Sequence, residues 1–447
     1  MYYFSGKFSN FGSKFNTFIY MKRKSNQMVF FVVAALAFGA VSCSKDIYDE
    51  NRHYEIIKYV SPVDSVDQKH TWQLSNYYTY SILANAGVGA EKLELYSNNP
   101  VESSNAELLA RTFVKDGQQV TLSASVPSIL TTLYAALVDG NGNYTVTSFS
   151  PSVRYVDFSN TIATKAAPRV AVPKLMAYTY CFEENFPEPG DYDFNDVVMR
   201  ISLERTGKKE ITIDVTLTAV GSTRPMAGAL RLVGYRYEDI DSVVAVNGKT
   251  FNANVPSTCY ELIETDDILL KGRNKEAVIN MFLDAHWAIG DDIQTVNDDF
   301  IRKKYNVART MGESYDVTYA KTAAYTVYFK SETALNGFTQ EMLDPFLITY
   351  YAGARLEIHL DEFRDAQIFH RYNTITFKDI PWALKIPTRY FQYPLEGNQI
   401  GFRKRAEDGT AALFGAYMTM GHSFGEWVEN HDSCLDWYEY PTSNRVY

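Results

Sequence analysis

The sequence predicts an all-β protein in which a small N-terminal β-sandwich precedes a larger β-sandwich-type domain that contains a few short helices. Three observations predict this fold class. Aromatic residues make up 15% of the chain, and 33 of its 447 residues are Tyr, a residue that favours pleated, half-buried surfaces. Short runs of alternating apolar and polar residues are separated by Gly, Pro, Asn and Asp, as in strands and turns. The hydrophobic fraction of 46% is enough to bury real cores.

The small sandwich is predicted over residues 71–160. Its expected strands are the runs at 78–84, 92–97, 118–126, 131–138 and 144–149, with a turn at 139–142 before the last one. Strands at this spacing are typical of a sandwich. Residues 104–113 leave a helix open as an alternative. A linker is predicted over 161–174, because this stretch has two prolines and no aromatic residue.

The larger domain is predicted over residues 175–447. Its first hairpin is the clearest local pattern, since apolar and polar residues alternate from 197 to 204 and again from 211 to 218. Asn247-Gly248 favours a type I′ hairpin turn. Further expected elements are strands at 324–329 and 355–360 and short helices near 338–348 and 422–430.

The first part of the chain is typical of an exported lipoprotein. A basic start at 22–24 precedes an apolar run at 28–42, which is shorter than the ~20 residues that a membrane-spanning helix needs. Residues 21–42 are therefore predicted to be a signal peptide, and residues 1–20 a non-native upstream extension. This pattern resembles a bacterial lipoprotein signal, which implies that Cys43 carries the acyl chains.

Residues 43–70 are predicted to be a polar tether. The acidic stretch that follows Cys43 resembles a surface-export tag, which implies an outer-membrane lipoprotein exposed at the cell surface; a periplasm-facing orientation is the alternative. Because residues 1–43 hold five basic and no acidic residues, the formal net charge of −10 for the whole chain becomes −15 after residue 43. Such a charge argues against nucleic acid as a partner. The pairing of Cys181, Cys259 and Cys434 is left open.

Residues 190–198, with the sequence GDYDFNDVV, predict a calcium site. Asp191, Asp193 and Asn195 supply oxygens at alternate positions, and Asp196 supplies a further carboxylate or a supporting hydrogen bond. Glu184 is a further candidate on the approach to the loop. The loop departs from an EF-hand because Asp196 replaces the turn glycine, so we expect a weaker, extracellular type of affinity. The alternative is an Asx-rich turn that binds nothing.

Other polar residues are interpreted as structural. His286 and Trp287 are expected to finish a buried strand, and His359 is expected to be a solvated strand residue. His422 and His431 lack zinc spacing. The sequence has no nucleophile elbow, metalloprotease motif or phosphate-binding loop, so we expect no catalytic activity.

The run 181–187 leading into GDYDFNDVV resembles the start of the LruC domain, a module of bacterial surface lipoproteins. Matching pieces follow in the expected order, at 279–287, 343–346, 357–360 and 381–387 and near the C-terminus. The resemblance covers about 176–447. It implies a β-rich extracytoplasmic module in which calcium binding is suspected and no activity is assigned.

These observations together predict a lipid-anchored, calcium-stabilised protein that serves adhesion or binds a glycan or a surface protein. A structural or assembly subunit of a surface complex or fimbria-like polymer is the alternative. A carbohydrate-active enzyme is a third reading, which would require two distant carboxylates in one pocket.

Overall fold

The computed structural model describes residues 65–159, 161, 165–290, 295–296, 301–306, 320–335, 337–370, 380–405 and 408–447. The predicted upstream extension, the signal peptide, Cys43 and the tether as far as residue 64 lie outside the described residues. Within the described ranges, no helix is both long and apolar enough to cross a membrane.

The described part of the chain is predominantly β, with 41% of its residues in strands and 10% in helices. The predicted all-β sandwich class is therefore confirmed. The strands before residue 176 in the described ranges are β1 (Ser75–Leu83), β2 (Ala90–Tyr96), β3 (Glu107–Phe113), β4 (Gln119–Pro127), β5 (Leu133–Asp139), β6 (Tyr144–Phe149), β7 (Tyr155–Asp157) and β8 (Lys174–Leu175).

These strands form two sheets, with the orders β4-β1-β7 and β6-β5-β2-β3-β8. Their facing sides bury a core that includes Tyr80, Ile82, Leu93 and Leu137. The segment 104–113, for which a helix was an alternative, contains strand β3. It pairs antiparallel with β2, so partner-strand pairing decides its conformation rather than its helix-compatible composition.

The later strands are β9 (Ala177–Phe182), β10 (Val197–Glu204), β11 (Glu210–Ala219), β12 (Ala227–Arg236), β13 (Ile240–Ala245), β14 (Leu269–Lys271), β15 (Glu276–Phe282), β16 (Thr295–Val296), β17 (Ile301–Arg302), β18 (Lys321–Phe329), β19 (Leu343–Tyr351), β20 (Ala354–Ile358), β21 (Ala383–Ile386), β22 (Phe402–Arg405) and β23 (Ala411–Phe414). The two α-helices in the described ranges are α1 (Ala285–Gly290) and α2 (Phe424–Glu429). Single 3-10 turns lie at Tyr237–Asp239, Val246–Gly248, Ser257–Cys259, Glu332–Leu335, Gln340–Met342, Asp361–Phe363 and Trp437–Glu439.

Two large sheets organise this part of the chain. One is six-stranded, in the order β13-β18-β11-β10-β9-β21, and the other is five-stranded, in the order β14-β15-β12-β19-β20. The predicted hairpin is β10–β11, with Ile201 opposite Val215 and Leu203 opposite Ile213. Ile201, Val215 and Ile213 are fully buried, as the period-2 pattern requires.

Two local predictions differ from the structure. Asn247 and Gly248 both have positive φ, as a type I′ turn requires, but β13 pairs with the distant β18 instead of with a following strand. The helix expected over 338–348 is a single 3-10 turn followed by strand β19, since this strand pairs with β12 and β20 inside the five-stranded sheet.

An aromatic cluster near the C-terminus covers one end of the six-stranded sheet. Trp427 of α2 stacks on Trp437, and Phe424 and Tyr417 pack edge-on against Trp437. The side chains of Tyr192 and Phe194 belong to the same buried cluster. The predicted acidic loop is therefore packed against this core.

Candidate metal centre

Residues 183–196 form the long loop of a β-hairpin. Strands β9 and β10 are antiparallel, and Phe182 is paired with Val197 at the point where the loop begins and ends. The neck is closed by a hydrogen bond in which the Glu184 N–H donates to Asp196 Oδ2 at 2.7 Å. Both ends of the acidic loop are therefore fixed by the sheet.

The loop backbone explains why its acids lie on one side. Tyr192 and Phe194 have φ of 59° and 51°, in the left-handed region that costs roughly 1–2 kcal/mol for an L-residue. Both aromatic side chains are buried in the cluster described above. This alternation turns Asp191 and Asp193 away from that core, and the burial of the two rings offsets the strain.

Three carboxylates converge above the loop. One oxygen from each of Glu183, Asp191 and Asp193 lies within 4.8 Å of the others. Two oxygens bound to one calcium ion at roughly 2.3–2.6 Å are at most about 5 Å apart, so a single cation can contact all three. Asp191 is exposed at the rim, whereas Glu183 and Asp193 are each 1% exposed.

Hydrogen bonds fix the two buried acids. Glu183 Oε1 accepts the Phe194 N–H at 2.6 Å, and Asp193 Oδ2 accepts the Gly397 N–H at 2.8 Å. Among the described residues, no donor reaches Glu183 Oε2, although the atom is shielded from solvent. A buried carboxylate oxygen without a partner carries a substantial desolvation cost. A bound cation would remove that cost.

Asn195 and Asp196 lie at the inner end of the loop. The Asn195 amide donates to the Pro394 carbonyl at 3.2 Å, while its buried Oδ1 has no partner in the described part of the chain. A Cβ atom on Gly221 would lie 2.4 Å from that oxygen, so glycine is required there. Asp196 is engaged at the loop neck through Oδ2, as described above.

The electrostatics of the loop disfavour four ionised acids. Burial, reinforced by repulsion from neighbouring acids, raises the pKa values of Glu183 and Asp196 well above their usual range. The same two causes raise the pKa of Asp193 to about 8. No Lys or Arg in the described ranges forms an ion pair with Glu183, Asp191 or Asp193.

Nearby cations are engaged elsewhere. Lys304 pairs with Glu396, and Arg224 Nε lies 3.6 Å from Glu184 Oε1. Glu184, a sequence candidate, therefore faces Arg224. Lys304 also attracts Asp191 and Asp193 electrostatically. This single cation has Glu396 as its ion-pair partner, so it does not neutralise the three converging carboxylates.

The structure brings together part of the predicted set and adds one residue. Asp191 and Asp193 converge, Asn195 has a buried oxygen without a partner among the described residues, and Asp196 closes the neck. Glu183 was missed because it precedes the motif by eight residues. Hairpin register could have indicated Glu183, because the residue just after β9 lies beside the residue just before β10 in an antiparallel pair.

His286 belongs to α1 instead of to a strand, because β15 ends at Phe282. Asp284 accepts the N–H groups of His286 and Trp287 at 2.9 and 3.0 Å and begins the helix. His286 Nε2 lies 2.9 Å from the Ser222 carbonyl. The strand prediction was wrong, and these contacts support a structural role for His286.

The prediction that His359 is solvated was wrong. Its side chain is fully buried, with Nδ1 3.0 Å from Asp344 Oδ2 and Nε2 3.3 Å from Glu357 Oε2. Despite burial, which lowers it, these two carboxylates raise the pKa of His359 to about 9. Glu357 of β20 belongs to the same buried charge network, which alternation alone does not distinguish from a solvent-exposed face.

The remaining cysteine and histidine candidates form no metal-binding cluster within the described residues. Cys181, Cys259 and Cys434 are free thiols. His422 and His431 pair with Asp436 and Asp67, respectively.

The centre thus has the make-up of an oxygen-rich cation site on a β-sandwich. A family model described as a domain of unknown function, DUF4842, matches residues 209–403. This segment contains Glu396 and Gly397 but begins after the acidic loop. The resemblance to LruC stays a prediction.

One solved structure is similar to most of the chain. It is a crystal structure named "Putative lipoprotein" from Bacteroides ovatus, with 16% identity and a TM-score of 0.46; the alignment covers 80% of this chain and 99% of that one. No curated protein sequence matches this chain.

Proposed function

We propose that the loop 183–196 is a structural calcium site in a non-catalytic, lipid-anchored envelope protein that binds a surface ligand through a LruC-like module. One observation carries the metal assignment: Glu183, Asp191 and Asp193 point oxygens at one centre, and the deepest of these carboxylates has an unpartnered oxygen. Calcium supplies charge neutralisation there and no chemistry.

The position of the site supports a role in stabilising the contact between two segments that are distant in sequence. The Asp193 carboxylate and the backbone of the loop bind the segment 394–400: Gly397 N–H donates to Asp193, and Ile400 N–H donates to the Tyr192 carbonyl at 2.7 Å. An ion on Asp193 therefore stabilises the β9–β10 hairpin together with a segment about 200 residues away in sequence. Loss of the ion would loosen both.

The lipid anchor follows from the sequence at 21–43. Metabolic labelling with palmitate tests it in a Gram-negative host. The wild type should incorporate label, and Cys43→Ala should not. Labelling of both proteins alike would contradict the anchor.

Short sheet edges favour ligand binding over assembly into a strand-exchange polymer. In the two large sheets, the edge strands β14, β21, β20 and β13 have three, four, five and six residues. Donor-strand assembly needs a long accessible edge. The subunit alternative therefore has less support in these two sheets. In the small sandwich the edge strand β4 has nine residues, but its second part, residues 122–127, is buried.

Thermal unfolding of the full chain tests the metal site. Calcium in 100-fold excess over its Kd should stabilise the wild type by about 2.7 kcal/mol, and EGTA should reverse the effect. Asp193→Asn keeps the side-chain shape but removes a ligand charge, so its melting temperature should not respond to calcium.

A matched control is Asp241→Asn, at an exposed position of the edge strand β13. This variant should respond to calcium as the wild type does. If calcium raised the melting temperatures of wild type and Asp193→Asn equally, the metal site would be contradicted and the alternative, an Asx-rich turn that binds no ion, would be favoured.

A further inference from the structure

A groove on the outer face of the six-stranded sheet has the size of a ligand site. Its volume is about 680 Å³, within the range of roughly 300–1,000 Å³ that is typical of small-molecule sites. We call it the Arg200 groove; its lining includes Arg200, Ser202, Asp214, Thr216, Tyr390 and Gln392.

Strand alternation explains the polar floor of this groove. On β10, Met199 and Ile201 are buried between the sheets, so Arg200 and Ser202 point to the other face. Register places Thr216 opposite Arg200 and Asp214 opposite Ser202. The floor therefore offers a cation, hydroxyl groups and a carboxylate on one rigid surface.

Arg200 is the unusual member of this floor. The side chain is half-buried and its Nε is shielded from solvent, yet no hydrogen bond or ion pair joins it to another described residue. Burial lowers its pKa, although an arginine remains charged at neutral pH. A half-buried guanidinium without an anion is costly, and this chain has an excess of acids that could have paired with it.

The walls of the groove differ from its floor. Arg389 Nε lies 3.5 Å from Glu107 Oε1, so Arg389 already has an acidic neighbour. Tyr390 is 59% exposed, and Lys174 Nζ lies 4.5 Å from its ring centroid. The wall thus presents a planar aromatic side chain near the uncompensated cation.

We propose that the Arg200 groove binds a saccharide that carries a carboxylate, such as a uronic or sialic acid. The carboxylate would pair with the free guanidinium in a two-point contact. The apolar face of the sugar ring would lie on Tyr390, and its hydroxyls would bond Asp214, Thr216 and Gln392. This proposal rests on the ligand-binding role proposed above and names the ligand class.

Two features favour this ligand over other anions. Asp214 repels a phosphate-rich polyanion but accepts hydrogen bonds from sugar hydroxyls. β10 and β11 are central strands whose main-chain groups are paired on both sides, so an extended acidic peptide cannot add to the sheet here.

Saturation-transfer NMR with the full chain in calcium tests the proposal. The probes are D-glucuronate, D-galacturonate and N-acetylneuraminate, each beside its methyl ester, together with a Glu-rich hexapeptide. At least one free acid should bind, and its ester should bind at least tenfold more weakly. Arg200→Gln should lose that binding, whereas Arg236→Gln, at an exposed site on β12, should retain it.

Calcium-dependent stabilisation of Arg200→Gln should equal that of wild type, which separates this test from the metal test. The proposal is overturned if no acid binds, if esters bind as well as acids, if Arg200→Gln binds normally, or if only the peptide binds. In each case the calcium response can still hold, so the failure concerns the groove alone.

Discussion

The protein buries carboxylates in two places, and the charge of these carboxylates is compensated differently in each. Around His359, the acids Asp344 and Glu357 are both within hydrogen-bond distance of the imidazole, and Arg231 adds a second cation 2.8 Å from Asp344. Glu357 also accepts three backbone N–H groups, from residues 368 to 370. This cluster supplies its own countercharge and its own donors.

The acidic loop has backbone donors but lacks the countercharge, since Glu183 and Asp193 each accept one backbone N–H. Its buried carboxylates gather around Glu183 without an ion-paired Lys or Arg in the described ranges, and one oxygen of Glu183 has no donor. The comparison teaches that burial of acids alone does not indicate a metal. What distinguishes the two regions is whether the fold itself provides an ion-paired cation. The acidic loop does not provide one within the described residues, which is why we propose an external ion there.

The largest expected effect is at the self-compensated cluster. His359→Leu leaves two buried carboxylates facing each other, and breaking a buried pair in this way costs about 3–5 kcal/mol. Urea denaturation at pH 7 should show this loss with or without calcium. His422→Leu is the control, because its partly exposed pair with Asp436 should be worth less than about 1 kcal/mol. Rescue of His359→Leu by calcium would contradict the distinction between the two regions.

The pH dependence of stability should follow His359. Its pKa is about 9 in the folded protein, against 6.5 ordinarily, so the folded state binds the extra proton between these values. Its contribution is fully present below pH 6.5 and is lost as the pH rises through 9. The loss is on the order of 3 kcal/mol.

Denaturation in saturating calcium from pH 6 to 10 measures this contribution as the difference between wild type and His359→Gln. Calcium keeps the acidic loop in one state throughout. A difference in stability between the two proteins that grows with rising pH would contradict a raised pKa of His359 in the folded state.

Much of the fold was accessible from the sequence because it depends on local periodicity. The alternation in β10 and β11 fixed their buried faces, and the aspartate spacing located the acidic loop. Asp191 and Asp193 converge where the positive φ of Tyr192 and Phe194 turns the loop. The motif does not indicate this backbone conformation, because bulky residues rarely adopt positive φ.

The remaining features depend on contacts between distant residues. Glu183 joins the site through hairpin closure, and Gly397 through the packing of a segment 200 residues later. His359 follows a strand with an ordinary polar pattern, and its partner Asp344 lies on β19. Partners this far apart leave no trace in local periodicity. The buried network and the Arg200 groove could therefore be recognised only in the three-dimensional structure.

Glu183→Gln should change stability with opposite sign in the two metal conditions. In EGTA, the substitution removes a buried carboxylate in a repulsive cluster, which should stabilise the protein by roughly 1–2 kcal/mol. In calcium, it removes a ligand and should make the protein less stable than wild type. Differential scanning calorimetry in both conditions measures the reversal. A loss of stability in both conditions would mean that the Glu183 carboxylate is compensated within the fold, as Glu357 is.

The smallest effect on folding is expected at Asp191, because its side chain is exposed at the rim. Asp191→Asn should leave stability in EGTA within about 0.5 kcal/mol of wild type. As a ligand to the same ion it should still weaken calcium binding, by about tenfold or 1.4 kcal/mol, which calcium titration calorimetry measures. A rim acid that alters calcium affinity but not the metal-free fold separates ligation from packing. Unchanged affinity would remove Asp191 from the ligand set and confine the site to its two buried acids.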